Sequence, residues 1–133
     1  MSKEKTVTKA SGQKRFAVVT GGAGDIGSEI ARQLAAEEWE VWILDIVDND
    51  HGEAKARDIS TSKSSVHYVR ADQRDPVAID SALATPPRVD LLVVTAATVV
   101  AQPFLEIDVE NWSKQIDINL TGSFVASQSA ARR

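Results

Sequence analysis

Residues 20–27 read TGGAGDIG and lie between a short apolar run and a helical pattern. The run before them, FAVVT at residues 16–20, indicates a buried strand that ends at glycine. After them, apolar residues recur at helical spacing over residues 26–38. A glycine loop between a strand and a helix leaves backbone N–H groups free, and the helix dipole adds partial positive charge there. This stretch therefore predicts a turn that can hold a pyrophosphate.

The glycines and one later carboxylate have separate predicted roles. Gly21 and Gly24 permit a tight turn, and Gly27 lets the helix pack close to the first strand. Asp45 lies near the end of the next apolar run, VWILDI at residues 41–46. An acidic residue there accepts hydrogen bonds from a ribose diol. Glycines also occur in such turns for steric reasons alone, but together these features favour a dinucleotide site over a mere tight turn.

Strand and helix patterns alternate along the rest of the chain. Further strands are predicted at residues 66–70 and 89–95, and helices at residues 52–59, 76–84, 109–118 and 120–132, with an acidic turn at 47–52 and a helix interruption near Gly122. This alternation predicts an α/β fold, a doubly wound parallel sheet with helices on both faces. Residues 15–133 are expected to form one domain after a disordered tail of residues 1–14. Trp39, Trp42 and Trp112 are predicted to be packing residues and not stacking platforms.

Composition excludes several classes of function. The 133 residues carry a net charge of −4 and no cysteine. A negative balance argues against a general nucleic-acid binder, and the lack of cysteine excludes disulfides, thiolate metal sites and cysteine nucleophiles. The two histidines, His51 and His67, have no partners at ligand spacing, so no metal site is expected. Without a membrane-spanning stretch or a secretory signal, a cytoplasmic location is expected.

The TGGAGDIG stretch resembles the TGxxxGxG motif of the short-chain dehydrogenase/reductase family, and the resemblance covers nearly all of residues 16–133. It implies a Rossmann-type fold, here ending after about four strands in the order 3-2-1-4, and a nicotinamide cofactor. Asp45 looks like the family's acidic residue after the second strand. That residue implies NAD over NADP, because its carboxylate repels the 2′-phosphate of NADP.

Later segments extend the resemblance. Asp72, in RADQRD, resembles the aspartate that contacts the adenine amino group, with Gln73 beside it. Asn119, in WSKQIDINLTGSF at residues 112–124, resembles the family's structural and catalytic asparagine. The residues expected to bind the cofactor are Gly21, Gly24, Asp25, Ile26, Gly27, Asp45, Ile46, Asp72, Gln73, Thr95, Ala96 and Ala97.

The sequence departs from the family pattern at two places. The middle glycine of the motif is replaced by Asp25, which is expected to cap the helix with its side chain and point away from the phosphates. The family's NNAG after the fourth strand is here Val94-Thr95-Ala96-Ala97, so one hydroxyl remains and both asparagines are lost.

Hydride transfer to a carbonyl also needs an acid, and the family uses a tyrosine with a lysine four residues later, assisted by a serine. The one tyrosine, Tyr68, lies on a predicted strand, so it is not expected to be that acid. Of the family's catalytic set only Asn119 is present, and the chain alone is expected to lack turnover. It is interpreted as the cofactor-binding part of a reductase that acts on an alcohol or carbonyl substrate. The alternatives are a non-catalytic dinucleotide-binding module or assembly subunit, and a scaffold that binds nothing.

The fourth strand is expected to be an edge, and the last helix is expected to expose an apolar face. Unpaired apolar edges and faces favour association with another chain. Self-association, or a partner chain bound through either element, is therefore expected.

Overall fold

The computed structural model describes residues 12–133, so most of the predicted tail of residues 1–14 lies outside the described residues. Nine regular elements, together with a 3₁₀ turn at Phe104–Glu106 and a π-helical turn at Asp117–Gly122, make up the fold of these residues. The strands are β1 (Arg15–Thr20), β2 (Trp39–Asp45), β3 (Val66–Arg70) and β4 (Leu91–Val94). The helices are α1 (Asp25–Ala36), α2 (Asn49–Ile59), α3 (Pro76–Leu83), α4 (Val109–Ile116) and α5 (Ser123–Ala130).

The four strands form one parallel sheet in the order β3-β2-β1-β4, which confirms the predicted fold class and strand order. Thr20 at the end of β1 pairs with Leu44 on one side and with Val94 on the other. The carboxyl ends of β1, β2 and β4 therefore meet at one edge of the sheet. The loops that follow these strands carry most of the residues predicted to bind a cofactor.

Alternating strand residues build a core on each face of the sheet. Val18, Trp42 and Leu44 face α3 and α5, where Ile79 and Leu83 are almost fully buried. The intervening strand residues Ala17, Val19, Val41 and Ile43 face α1 and α2. Because the central strands are buried on both faces, they have the continuous apolar runs that predicted them.

Several predictions need correction. The segment expected to be an acidic turn is mostly the start of α2, because the Asp48 side chain accepts the His51 N–H at 3.0 Å and caps the helix. Strand β4 is shorter than expected, and all its residues are only half-buried. Trp42 is buried, whereas Trp112 is 58% exposed and is not the packing residue that the sequence predicts.

The predicted break near Gly122 takes the form of the π-helical turn, which joins α4 to α5 without a loop. Across residues 12–133 no helix has both the length and the apolar character needed to cross a membrane.

Candidate dinucleotide-binding site

A cavity of about 550 Å³ opens at the carboxyl edge of the sheet. It is bounded by the loops that follow all four strands. The predicted residues that line it are Gly21, Gly24, Asp45, Ile46, Asp72, Gln73, Thr95, Ala96 and Ala97. The predicted residues outside the lining are Asp25, Ile26, Gly27 and Asn119. The topology therefore gathers residues that are far apart in sequence into one cleft.

Two glycines allow the loop after β1 to close tightly on its neighbours. Gly21 has φ +67°, and a Cβ atom there would lie 2.6 Å from the Ala96 backbone nitrogen. A Cβ atom at Gly27 would lie 2.3 Å from the Gly21 carbonyl oxygen and 2.7 Å from Thr95 Oγ1. Side chains at these positions would push the start of α1 away from the sheet, so both predicted steric roles agree with the geometry.

Asp25 does not cap α1, which corrects the prediction made from its side chain. The helix begins at Asp25 itself, with Gly24 at the N-cap position and no side-chain cap hydrogen bond. A side chain already inside the helix lies along its surface, whereas a capping side chain comes from the residue before it. Within the described chain, no capping side chain consumes the amides at the start of α1, which stay available to an anion.

Asp45 joins the end of β2 to the glycine loop. Its Oδ2 accepts the Ala23 N–H at 3.0 Å, and its Oδ1 accepts the Ile46 N–H at 2.8 Å. A carboxylate offers about four lone-pair sites, so acceptor capacity remains toward the cleft that Asp45 lines. This second role, holding the loop, was not anticipated from the sequence, because it depends on the fold bringing Ala23 next to β2.

Asp72 pairs with a cation that sequence reasoning did not assign to the site. Arg74 donates from Nη2 and Nε to the two Asp72 oxygens at 2.6 and 3.1 Å, and the Asp72 oxygen Oδ1 also accepts the Arg74 N–H. Hydrogen bonds from Arg74 hold the pKa of the Asp72 carboxyl below its usual range. Arg74 and Lys114 both line the cavity, so it contains cations as well as carboxylates. The alternating charges of RADQRD were the available signal for the Asp72–Arg74 pair.

Side-chain amides and hydroxyls hold the loop after β4. Thr95 Oγ1 donates to the Thr20 carbonyl oxygen at 2.6 Å. Asn119 accepts the Thr98 N–H and donates to the Thr98 carbonyl, both at 2.8 Å. Asn119 lies in the π-helical turn and positions the backbone beside the cleft, which fits the structural half of its predicted role.

Tyr68 is a strand residue of β3, as predicted, and its hydroxyl is already hydrogen-bonded to the protein backbone. It donates to the Val47 carbonyl at 2.6 Å, with the Asp45 carbonyl at 3.1 Å. Burial, with the negative charge of Asp45 adding to it, raises the pKa of Tyr68 to about 12. It does not line the cavity, so it is not placed to donate a proton to a ligand there.

The sequence profile of the short chain dehydrogenase family matches residues 15–133. The chain belongs to this family. Members of the family bind nicotinamide cofactors. An acetoacetyl-CoA reductase from Acinetobacter sp. is 33% identical to the chain over 122 residues, which cover 87% of the chain and 49% of the reductase. A 2-dehydro-3-deoxy-L-rhamnonate dehydrogenase (NAD(+)) from Sphingomonas sp. is 34% identical over 123 residues, which cover 86% and 46% of the two proteins.

Solved structures of the family have the same architecture. A dehydrogenase/reductase from Sinorhizobium meliloti matches with a TM-score of 0.83 and 30% identity, covering 90% of this chain and 49% of its own. The chain spans about half the length of both curated relatives named above. The matched half contains the glycine loop, the sheet and the cleft described above.

Proposed function

We propose that the chain binds NAD(H) in the cleft as part of a short-chain oxidoreductase that transfers hydride between nicotinamide and an alcohol or carbonyl. The observation that carries this proposal is the cavity of about 550 Å³ at the carboxyl edge, next to α1 amides that no side chain caps. Parallel sheets bind ligands at this edge, and helix N-termini bind phosphates. The activities of the two curated relatives, a reductase and a dehydrogenase, support the reaction class.

The residues of the cleft fit the cofactor by position and chemistry. The amides of α1 would face the pyrophosphate, and Asp45 would accept hydrogen bonds from the adenosine ribose. A carboxylate at Asp45 also opposes a 2′-phosphate, which favours NAD over NADP, and the Sphingomonas relative is named for NAD(+). When bound, the nicotinamide ring accepts or donates the hydride.

Among the described residues, Tyr68 is not placed to take part in proton transfer at the cleft. The one tyrosine, Tyr68, donates to backbone carbonyls outside the cleft. This observation favours a second candidate function, a non-catalytic dinucleotide-binding module. Reductant consumption by the purified chain with carbonyl substrates separates the two, and we expect binding of NADH without turnover. Turnover that is lost on substitution of Asn119 would exclude the module.

Asp25 provides a direct test of binding at the helix N-terminus. The Asp25→Asn variant removes a charge beside the proposed pyrophosphate, and no cap hydrogen bond is lost. Charges several Å apart in a water-like dielectric interact by less than about 1 kcal/mol, so NADH should bind up to about fivefold more tightly. Fluorescence titration measures this. The matched control is Glu29→Gln, one turn along the exposed side of α1, which should change the affinity much less.

Two results would count against the proposal. The first is an unmodified chain that does not change NADH fluorescence at millimolar concentrations, which would favour a scaffold that binds nothing. The second is an equal effect of Asp25→Asn and Glu29→Gln, which would place the cofactor away from the start of α1.

Association with another chain is also proposed. The exposed apolar side chains of α4, the π-helical turn and α5 support it, as does the unpaired edge of β4 within the described sheet.

A further inference from the structure

Gln73 follows β3 and is 4% exposed, yet its side chain is polar. Its Nε2 donates to the Ile118 carbonyl at 2.9 Å and to the Ala96 carbonyl at 3.3 Å. Ala96 lies in the loop after β4, and Ile118 lies in the π-helical turn. One amide therefore joins three segments that are far apart in sequence.

The other half of this amide shows that filling space is not its role. Gln73 Oε1 is buried and has no hydrogen-bond partner within the described chain. The two neighbouring groups are carbonyl oxygens, which need a donor, so the orientation of the amide is determined by them. A buried acceptor without a partner costs free energy, and an apolar side chain of similar size would avoid that cost. The donor bonds of Nε2 are therefore the reason that a glutamine fits here.

Gly122 allows the π-helical turn to approach Gln73. A Cβ atom on Gly122 would lie 2.5 Å from Gln73 Cγ. A larger residue at position 122 would displace the Gln73 side chain and lengthen its bond to the Ile118 carbonyl. The glycine and the glutamine thus form one junction, which brings the π-helical turn against the loop after β4.

The junction sets the position of one part of the cleft. Ala96 lies between Gln73 and the glycine loop, where Gly21 approaches its backbone nitrogen so closely that a Cβ atom would not fit. Ala96, Ala97 and Thr98 all line the cavity. In the order β3-β2-β1-β4, this loop lies on the opposite side of β1 from Asp45. A dinucleotide spans both sides of such a sheet, so its non-adenosine half would lie over the loop after β4.

We propose that Gln73 is a positioning residue that fixes the Ala96–Thr98 floor of the cleft and so selects for a complete dinucleotide over its adenosine diphosphate half. This inference rests on the proposed binding of NAD(H). Gln73 also lines the cavity, but its Nε2 is engaged with the carbonyls of residues 96 and 118, so its proposed role acts through that backbone.

The test compares two ligands on the Gln73→Met variant. Methionine keeps the length of the side chain but cannot donate to either carbonyl. NADH should bind at least fivefold more weakly, whereas ADP, measured by calorimetry, should change less than twofold. Hydrogen exchange at residues 96–100 should be at least threefold faster, while exchange in β1 stays unchanged.

The control is Ser129→Ala, which loses a partly buried hydrogen bond of 2.7 Å to Asp80 on α3, away from the cavity lining. It should change the affinity for neither NADH nor ADP. Gly122→Ala keeps the Gln73 amide but displaces it, so it should also weaken the binding of NADH more than the binding of ADP. This second variant keeps the test decisive where the methionine variant does not fold.

The outcomes separate the two proposals. If the unmodified chain binds neither NADH nor ADP, the proposed function is contradicted. If the unmodified chain binds both ligands, the Gln73→Met variant tests the role of Gln73 alone. That role is overturned if the variant keeps its NADH affinity, or if its affinities for NADH and ADP fall equally. Failure of both variants to fold also overturns it, because Gln73 would then serve the fold only.

Discussion

At the scale of single residues, the Asp45 carboxylate holds the glycine loop and also faces the cleft. It accepts N–H bonds from Ala23 and Ile46, and it lines the cleft. The first role needs an acceptor only, whereas the proposed discrimination against a 2′-phosphate needs the negative charge. These two demands can be separated, because asparagine keeps an acceptor oxygen and loses the charge.

We therefore expect Asp45→Asn to fold and to shift cofactor preference. Its NADH affinity should fall severalfold, because bonds from a ribose diol to a neutral amide are weaker than bonds to a carboxylate. Its NADPH affinity should rise, so that the ratio of the two dissociation constants moves by about tenfold, or ~1.4 kcal/mol. Parallel fluorescence titrations with the two reduced cofactors measure the ratio. A ratio unchanged from the unsubstituted chain would contradict the assignment of charge discrimination to Asp45.

Tyr68 gives a second prediction at this scale, because it is the one tyrosine in the chain. Its pKa is raised from 10.0 to about 12 by burial and by Asp45. A raised pKa in the folded state means that the neutral phenol stabilises the fold. This stabilisation is fully present below pH 10 and is lost as the pH rises through about 12.

Absorbance of the phenolate should accordingly show a midpoint near pH 12 in the folded chain. The control is the chain unfolded in urea, where the midpoint should lie near pH 10, the value for a free phenol. A single midpoint near 10 under both conditions would mean that the hydroxyl is not buried beside Asp45 in the folded chain.

At the scale of the elements, the N-caps show which helix boundaries the sequence predicts well. Helix α3 starts at Pro76, as predicted, because proline suits the first turn and Asp75 accepts the N–H groups of Val77 and Ala78 at 2.9 and 3.2 Å. Helix α2 starts earlier than predicted, because Asp48 was interpreted as part of an acidic turn. A carboxylate before a helix can be a cap or a loop residue, and the apolar pattern alone does not distinguish these.

The Asp75 cap yields the next prediction. Asp75→Ala leaves two N–H groups without their acceptor, so the free energy of unfolding should fall by about 1 kcal/mol. Asp75→Asn is the matched control, since asparagine caps about as well as aspartate, and it should lose much less. Urea denaturation followed by circular dichroism gives both values. Equal losses in the two variants would show that the carboxylate charge, and not the cap, matters at this position.

The sheet could be predicted from sequence more fully than the cleft. The runs that form β1 to β4 are apolar because a parallel sheet is covered on both faces, so their existence and order followed from local patterns and the family resemblance. The sequence also placed the glycine loop beside Asp45, since their spacing along the chain has a known physical purpose, and Asp45 accepts the Ala23 N–H of that loop.

The contacts across the cleft could not be predicted. Gln73 reaches carbonyls 23 and 45 residues away, and Lys114 enters the cavity from a helix after β4. Such contacts depend on the packed positions of several elements, which no local pattern encodes. Asp25 was wrongly assigned as a cap for a smaller reason, because the helix begins one residue earlier than the apolar pattern indicated.

At the scale of the whole molecule, several large apolar side chains of α4, the π-helical turn and α5 are exposed. Leu120 and Phe124 are 64% and 61% exposed and lie one helical turn apart, and Trp112 on α4 is 58% exposed. Polar residues normally dominate the exposed sides of surface helices, so these exposed apolar side chains support the proposed association with another chain. Within the described sheet, the half-buried β4 pairs with β1 alone, so its other edge is unpaired.

The proposed self-association through the π-helical turn and α5 can be tested with charge substitutions. Phe124→Lys and Leu120→Lys place a cation among these exposed apolar side chains, and burying an unpaired charge opposes association. Sedimentation should show that the unsubstituted chain associates as its concentration rises. The dissociation constant for self-association should be at least tenfold higher in both variants. The control is Val77→Lys on α3, where the replaced side chain is 74% exposed but lies outside α4, the π-helical turn and α5. If the Val77 variant weakens association as strongly as the Phe124 variant, net charge is the cause. If all three variants associate like the unsubstituted chain, the contact lies elsewhere, and the β4 edge becomes the surface to substitute next.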